Sequence, residues 1–252
     1  MARVVLTQPL PRVEALERAL ARRGHEVARL TFTRIQSRPM VGLAAQVAEV
    51  DWVVAVSPAA VEALASALSH VWPPGPGLAL VGPGSLLALE QTGLRVPADR
   101  LTFPAAAPFD AGAMLAAGPL ARPAGCTVLV VRGQGGRDDW IDVLRARGAQ
   151  VEVLPLYDRQ PLVPEPEARA RLGQWLAGPV PVYCVLTQSS AAIALAALPE
   201  AARLREPASP LVALAIHARI AEAARTAGFH RVRLIDPGEN AIAAAIECGA
   251  VT

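Results

Sequence analysis

An internal repeat is the feature of this sequence that most restricts its fold. The apolar run VVLT, a helix-periodic stretch ending at Gly24 and the apolar run HEVARLTF are matched in the second half by VLVV, a stretch ending at Gly148 and AQVEVLPL. Two further pairs keep this order: DWVVAVSPAAVEALASAL with VYCVLTQSSAAIALAAL, and LALVGPGSLLALEQTG with VALAIHARIAEAARTAG. The three matched pairs predict a duplication. Two similar lobes create a cleft between them, where ligands commonly bind.

Short Val- and Leu-rich runs alternate with helix-periodic stretches, which is typical of parallel βαβ units. The strands are nearly continuous in apolar residues, so both faces of each sheet are expected to be covered. Gly24, Gly93, Gly148 and Gly228 each follow a helical run, where a left-handed C-terminal cap favours glycine. Strands are predicted at residues 3–6, 26–30, 52–56, 78–81, 127–131, 150–154, 182–186, 211–216 and 231–235, and helices at residues 12–23, 58–69, 85–92, 137–147, 167–176, 189–197, 218–227 and 241–248.

Two loops at matching positions of the repeat are predicted to be hinges. They are residues 34–40 and the proline-rich residues 155–166. Two crossings make one lobe discontinuous, with residues 1–36 and 160–252 in one lobe and residues 39–157 in the other. The predicted fold is therefore α/β, with two similar flavodoxin-like, doubly wound parallel-sheet lobes joined by a two-segment hinge.

Composition and motifs exclude several classes of function. The net charge of +2 favours neither nucleic acid nor an acidic partner, and all 24 basic residues are arginine, which rules out a Schiff-base lysine. No GxGxxG, Walker or HExxH motif is found, and the four histidines lack metal-ligand spacing, so we expect neither metal nor cofactor. Three scattered cysteines, no apparent signal peptide and no apolar run of about 20 residues predict a soluble, cytoplasmic protein without membrane contact.

Small hydroxylic residues and glycines stand in the turns after several predicted strands. The carboxyl ends of parallel strands meet at one sheet edge, where ligands bind. Ser and Thr there cap helices and leave backbone N–H groups directed at an anion. Capping alone explains any single turn, but the set favours a site for a ligand with several carboxylates or phosphates. The candidate binding residues are Thr7, Ser57, Gly82, Ser85, Thr187, Ser189 and Ser190.

The segment RGQGGR and a nearby tyrosine are further candidates. Arg132 and Arg137 suit bidentate binding of carboxylates, and Gly133 allows close approach of the backbone to a ligand. A flexible surface turn with solvated arginines is the alternative. Tyr157, one of two tyrosines, stands at the predicted hinge, where its phenol either hydrogen-bonds a ligand or packs as a hinge aromatic.

These turns, in this order, resemble the uroporphyrinogen-III synthase family over nearly the whole chain. The resemblance is carried by VVLTQP, GHEVARLTF, DWVVAVSPAAVEAL, RGAQVEVLPLYDR, VYCVLTQSS and ALAIHARIAEAARTAGF, and most specifically by VGPGS followed by VRGQGGR and LPLYDR. It implies a monomer without metal or organic cofactor. It also implies hydroxymethylbilane, a linear tetrapyrrole with eight carboxylates, as the substrate.

The reaction that the resemblance implies removes the terminal hydroxyl as water, inverts ring D through a spiro intermediate and closes the macrocycle as uroporphyrinogen III, in tetrapyrrole biosynthesis. Tyr157 matches the tyrosine of the family's pattern and is the candidate for assisting the leaving hydroxyl. Ser85 stands where the family more often has Thr. The departures are Gln8, where the family often has Arg, and His217 and Ile220, where the second copy often has Gly and Thr.

Two alternatives are left open. One is a non-enzymatic cytosolic two-lobe module that binds a small polyanionic ligand, resembling periplasmic-type binding domains. The other is a catalytically inactive, synthase-like domain that serves regulation. Formation of the type III rather than the spontaneous type I porphyrin from hydroxymethylbilane separates the enzyme from both.

Overall fold

A computed structural model describes residues 1–106, 109–116, 118–135 and 138–249. The strands are β1 (Arg3–Leu6), β2 (Glu26–Arg29), β3 (Thr33–Ser37), β4 (Trp52–Ala55), β5 (Gly77–Leu80), β6 (Leu101–Thr102), β7 (Thr127–Gly133), β8 (Gln150–Pro161), β9 (Val182–Leu186), β10 (Leu211–Ala215) and β11 (Val232–Leu234). The α-helices are α1 (Val13–Arg22), α2 (Leu43–Ala48), α3 (Pro58–Ala67), α4 (Pro83–Thr92), α5 (Ala111–Ala116), α6 (Asp139–Ala146), α7 (Pro166–Ala177), α8 (Ser189–Ala196), α9 (Ala218–Thr226) and α10 (Glu239–Gly249).

The chain divides into two compact units. Unit 1 consists of Met1–Ile35 with Gln160–Thr252, and unit 2 consists of Gln36–Arg159. In unit 1, β1 alternates its side chains between the two faces of its sheet, with Val5 in one apolar cluster and Val4 and Leu6 in another. Helices therefore cover both faces of this sheet, as its near-continuous apolar strands predict.

The sheet of unit 1 has the strand order β11-β10-β9-β1-β2, and all its pairs are parallel. Numbered within the unit, this is the flavodoxin-like order 2-1-3-4-5. The winding direction reverses between β1 and β9. Ligands of such sheets bind at the carboxyl ends of the strands at this switch point.

The second sheet has the order β3-β8-β7-β4-β5-β6, and its pairs from β8 to β6 are parallel. The five strands from β8 to β6 have the same spatial arrangement as the five strands of unit 1, with β7 in the position of β1. Along the chain, however, the first of these five strands is β4, whereas in unit 1 the first is β1. Val4 pairs with Val27 in unit 1, and the matching residues of the repeat, Val128 and Val151, pair in unit 2. The switch point of unit 2 therefore lies between β4 and β7.

The α/β fold with parallel sheets is confirmed, and strands and helices occur at every predicted position. The four glycines after helices have positive φ angles between 71° and 100°, as a left-handed cap requires. The predicted hinge segments contain strands that the sequence analysis did not predict, since residues 34–40 include part of β3 and residues 155–161 continue β8. These segments lack an apolar alternation, and their strand geometry comes from pairing with each other, as shown by the hydrogen bond from the Arg38 N–H to the Leu156 carbonyl (2.8 Å).

Two glycines of unit 1 are predicted to respond oppositely to replacement by alanine. Gly24 has a φ of +77° and no atom within 4 Å of an added Cβ, so Gly24→Ala should destabilise unit 1 by about 1 kcal/mol through the backbone alone. Gly173 lies inside α7, and an added Cβ meets its nearest atoms at 3.7 Å, so Gly173→Ala should stabilise by about 0.5–1 kcal/mol. Urea unfolding measures both changes, and equal signs would contradict this assignment of the two backbones.

Candidate functional site

The switch point of unit 2 brings together the ends of β4 and β7. Ser57 follows β4 and is the N-cap of α3, since its Oγ accepts the Ala60 N–H at 3.1 Å. This is the helix-capping role that the sequence predicts for it. Gly133 is the last residue of β7. The crevice between these two strands is the place where a parallel sheet with this winding binds a ligand.

A β-bulge places Tyr157 in this crevice. The pairing of β7 with β8 shifts by one residue, so that Arg132 pairs with Pro155 but Gly133 pairs with Tyr157. A bulge of this kind changes the direction of a side chain relative to regular alternation. The Tyr157 ring lies against Gly133, where a Cβ would be only 2.6 Å from its Cε2 atom. Gly133 therefore makes room for the tyrosine ring, while its predicted approach to a ligand stays a prediction.

The Tyr157 hydroxyl contacts two polar side chains of the described part of unit 2. Its oxygen lies 3.0 Å from Ser57 Oγ and 3.4 Å from Nη2 of Arg159. The Arg159 guanidinium also lies over the tyrosine ring, 5.9 Å from its centre, within the range of a cation–π interaction. Tyr157 is only 1% exposed, whereas Ser57 is half-buried and Arg159 is exposed. Ser57 is thus the more accessible hydroxyl of the pair.

Contacts from β8 and from Arg38, the residue after β3, hold Gln134 at the end of β7. The Gln134 N–H donates to the Tyr157 carbonyl oxygen at 2.9 Å. Arg38 donates through Nη1 to Gln134 Oε1 at 3.3 Å and through Nε to Asp158 Oδ2 at 2.8 Å. These contacts attach the loop to the strand that carries Tyr157. The sequence analysis missed Arg38, Gln134 and Arg159 because it ended the strand at residue 154.

The other candidate residues of unit 2 have contacts within the protein that the sequence does not indicate. Arg132 forms an ion pair with Asp138, and its side chain is 13% exposed. Gly82 is the N-cap of α4, where a Cβ would lie 2.7 Å from the Cβ of Phe109. Ser85 is buried in the first turn of α4. Arg137 lies outside the described residues.

At the switch point of unit 1, several polar atoms are buried without a hydrogen-bond partner in the described part of the chain. They are Oγ1 of Thr187, Oγ of Ser189 and Oε1 of Gln8. Buried polar atoms are normally hydrogen-bonded, so these three atoms lack the partners that such atoms usually have. Ser190 is exposed on α8, whereas the Thr7 hydroxyl is already used, since it donates to the Val185 carbonyl at 2.7 Å. Gln8, noted in the sequence only as a departure, therefore joins this group.

The two departures in the second copy have local roles. His217 is the N-cap of α9, and its Nδ1 accepts the Arg219 N–H at 3.2 Å. Ile220 is buried in the core of unit 1. The HARI turn thus caps and anchors a helix, and the structure gives no reason to assign ligand binding to Ile220.

Within the described residues, the following reactive side chains do not form a competing site. Burial raises the pKa of the Cys184 thiol, which disfavours the nucleophilic thiolate. Burial also raises the pKa of Tyr183, the second tyrosine, which lies in the core of unit 1. Among the described residues, no three His, Cys, Asp or Glu side chains are grouped so as to hold a metal ion. No described helix is both long and apolar enough to cross a membrane.

The fold and these sites define a class of α/β proteins with flavodoxin-like sheets and polar side chains at the switch points. The chain belongs to the uroporphyrinogen-III synthase family, since the family model described as "Uroporphyrinogen-III synthase HemD" matches residues 14–236. The family consists of cyclising lyases of tetrapyrrole biosynthesis. The resemblance seen in the sequence is therefore confirmed.

Solved structures of uroporphyrinogen III synthases share this fold. A methionine-substituted variant of the uroporphyrinogen III synthase from the extremely thermophilic bacterium Thermus thermophilus superposes with a TM-score of 0.58 at 18% identity, over 98% of each chain. The uroporphyrinogen-III synthetase from Helicobacter pylori 26695 superposes with a TM-score of 0.56 at 12% identity, over 98% of this chain and 99% of that one. No curated protein sequence matches the chain significantly.

The packing of Tyr157 on Gly133 gives a testable prediction. In Gly133→Ala the new methyl group collides with the ring, so we expect a loss of about 1–3 kcal/mol in the free energy of unfolding and displacement of Tyr157 from Ser57. The control is Gly84→Ala, whose Cβ would meet Pro58 Cγ at 3.7 Å, an ordinary contact distance, and should change stability by less than about 0.5 kcal/mol. Urea unfolding compares them, and equal stabilities of the two variants would show that the ring does not depend on Gly133.

Proposed function

We propose that this chain cyclises linear hydroxymethylbilane, with loss of water and inversion of ring D, to uroporphyrinogen III, and that Tyr157 assists departure of the hydroxyl. Membership of the uroporphyrinogen-III synthase family supports the reaction. The observation that carries the assignment of the site is the 3.0 Å contact between the hydroxyls of Tyr157 and Ser57 at the switch point of unit 2. The proposal includes a cytoplasmic location and a monomeric state.

The proposed reaction depends more on correct positioning of the substrate than on strong acid catalysis. Loss of hydroxide from a hydroxymethyl pyrrole leaves a cation that the electron-rich ring stabilises, so one hydroxyl donor suffices to assist it. The harder requirement is that the substituted carbon of ring D is attacked instead of the free one. Holding the reacting groups in the right geometry can lower a barrier by several kcal/mol.

The carboxylate arms of the substrate supply the groups by which it is held. We propose that Arg132 and the hydroxyls of Thr187, Ser189 and Ser190 bind carboxylates, together with the first N–H groups of the helices at both switch points. The unpartnered oxygens of Thr187 and Ser189 support this role. Gly82, Ser85 and Thr7 contribute through the shape of their turns, because Phe109 covers Gly82 and the other two are buried. Arg137 is proposed as a second arginine for the same arms.

The product isomer tests the proposed function. Hydroxymethylbilane closes spontaneously to the type I porphyrinogen, so the wild-type chain should divert the product to type III. Chromatography of the porphyrins after oxidation resolves the two isomers. Type I alone, at the uncatalysed rate, would reject the reaction and leave a polyanion-binding module as the explanation of the site.

Replacement of Tyr157 tests its place in that reaction. Tyr157→Phe keeps the ring on Gly133 but removes the hydroxyl, so we expect kcat to fall on the order of 100-fold while KM changes little. Tyr183→Phe is the matched control, because it removes a hydroxyl from the other tyrosine, in the core of unit 1. Initial rates of uroporphyrinogen III formation measure both. Unchanged turnover in Tyr157→Phe would remove this residue from the mechanism.

A further inference from the structure

Three side chains of unit 2 form a short series of hydrogen bonds that leads out of the core. Nη2 of Arg159 lies 3.4 Å from the Tyr157 oxygen, which in turn lies 3.0 Å from Ser57 Oγ. Ser57 Oγ also accepts the Ala60 N–H at 3.1 Å. Tyr157 is buried, while Ser57 is half-buried at the carboxyl edge of the sheet. A ligand at that edge therefore reaches Ser57 before it reaches Tyr157.

Arg159 and the Ala60 N–H are fixed donors at the two ends of the series, and we assign the Tyr157 hydroxyl as the donor to Ser57, a contact in which either hydroxyl can donate. A guanidinium has N–H donors and no acceptor, so the Tyr157 oxygen accepts from Arg159. The phenol hydrogen is then available to Ser57 Oγ, which has one lone pair for it and one for the Ala60 N–H. With both lone pairs occupied, the hydrogen of Ser57 remains as the donor at the open end. Each bond polarises the next in the same direction.

We propose that Arg159, Tyr157 and Ser57 form a directed proton relay, in which Ser57 contacts the leaving hydroxyl of the substrate and Arg159 is a positioning residue for Tyr157. This inference rests on the proposed function and deepens it. It also explains how a tyrosine that is 1% exposed takes part in the reaction, since the proton reaches the substrate through the more accessible serine.

The proposed step conserves atoms and electrons. The Ser57 proton moves to the oxygen of the hydroxymethyl group, the C–O bond breaks with its electron pair on that oxygen, and water leaves. Ser57 takes the phenol proton of Tyr157, and the Arg159 guanidinium lies beside the phenolate that results. At ring closure the free α-carbon of ring D loses its hydrogen, and that proton restores the relay. The net change is the loss of one water.

Two substitutions at Ser57 separate the relay from helix capping. Ser57→Asn retains a good cap for α3 but has no hydroxyl, whereas Ser57→Thr retains both. We expect Ser57→Asn to lower kcat on the order of 100-fold with little change in KM, and Ser57→Thr to recover most of the turnover. Equal activity of the two variants would overturn the role of Ser57, because they differ in the hydroxyl.

Arg159 is tested through its dependence on Tyr157. Arg159→Gln should lower kcat about tenfold, as expected for one charged hydrogen bond, and Arg159→Lys should recover part of it. The loss should vanish in the Tyr157→Phe background, because the guanidinium acts only through the phenol. Arg145→Gln is the matched control, an exposed arginine of the same unit paired with Asp142. A rise in KM at unchanged kcat, or the same loss in both backgrounds, would overturn positioning and assign Arg159 to carboxylate binding.

A spectroscopic measurement tests the contact independently of activity. In the Tyr183→Phe chain Tyr157 is the remaining tyrosine, and the relative intensity of its Raman Fermi doublet reports whether the phenol oxygen accepts or donates hydrogen bonds. Arg159→Gln should change the doublet from a donor-and-acceptor state to a donor-only state, while Arg145→Gln leaves it unchanged. An unchanged doublet in Arg159→Gln overturns the relay, whereas type I product from the wild-type chain overturns the proposed function without affecting this result.

Discussion

The hydrogen bond between Ser57 and Tyr157 is the interaction on which the account of this protein depends. It joins a residue after β4 to a residue of β8, across the strand β7 that lies between them. Three local features make it possible: the bulge in β8, the absence of a side chain at Gly133 and the capping position of Ser57. Each of these features supports the contact, so the backbone conformation of unit 2 determines where the hydroxyls of Ser57 and Tyr157 meet.

The two copies of the repeat use equivalent positions differently. In unit 2, the N-cap of α3 is Ser57, whose oxygen is occupied by Ala60 and Tyr157. In unit 1, the corresponding N-cap of α8 is Gln188, and the neighbouring hydroxyls of Thr187 and Ser189 have no partner among the described residues. This difference supports the proposals in which Ser57 transfers a proton and Thr187 and Ser189 bind carboxylates. The duplicated fold thus gives equivalent positions different polar surroundings.

The sequence predicted the parts of the structure that depend on local pattern. Apolar periodicity located most strands and helices but missed β3, β6, α2 and α5. Four glycines marked helix ends correctly, because a left-handed cap needs no tertiary contact. The repeat paired Val4 with Val128 and Val27 with Val151, and these residues occupy equivalent register positions. Ser57 was identified as a turn residue that binds a ligand or caps a helix, and the structure shows the cap.

The contacts of the candidate site could not be predicted, because they depend on long-range pairing. The bulge that places Tyr157 beside Gly133 arises from the register of two strands and leaves no local pattern. Arg159 follows Tyr157 by two residues and lies on the same side of β8. This relation was not predicted, because the proline-rich sequence did not indicate that β8 continues to Pro161. Gly133 was expected to approach a ligand, and only the structure showed that a tyrosine ring fills that space.

A crystal structure of this chain with uroporphyrinogen III bound tests the central claim most directly. The account predicts that the ligand lies at the carboxyl edge of β4 and β7, with Ser57 Oγ within hydrogen-bonding distance of it and Tyr157 behind the serine. The opposite edge of the same sheet offers a cavity of about 350 Å³ lined by Asp51, Trp52 and Arg100. A ligand bound in that cavity, with Ser57 and Tyr157 uninvolved, would contradict the account.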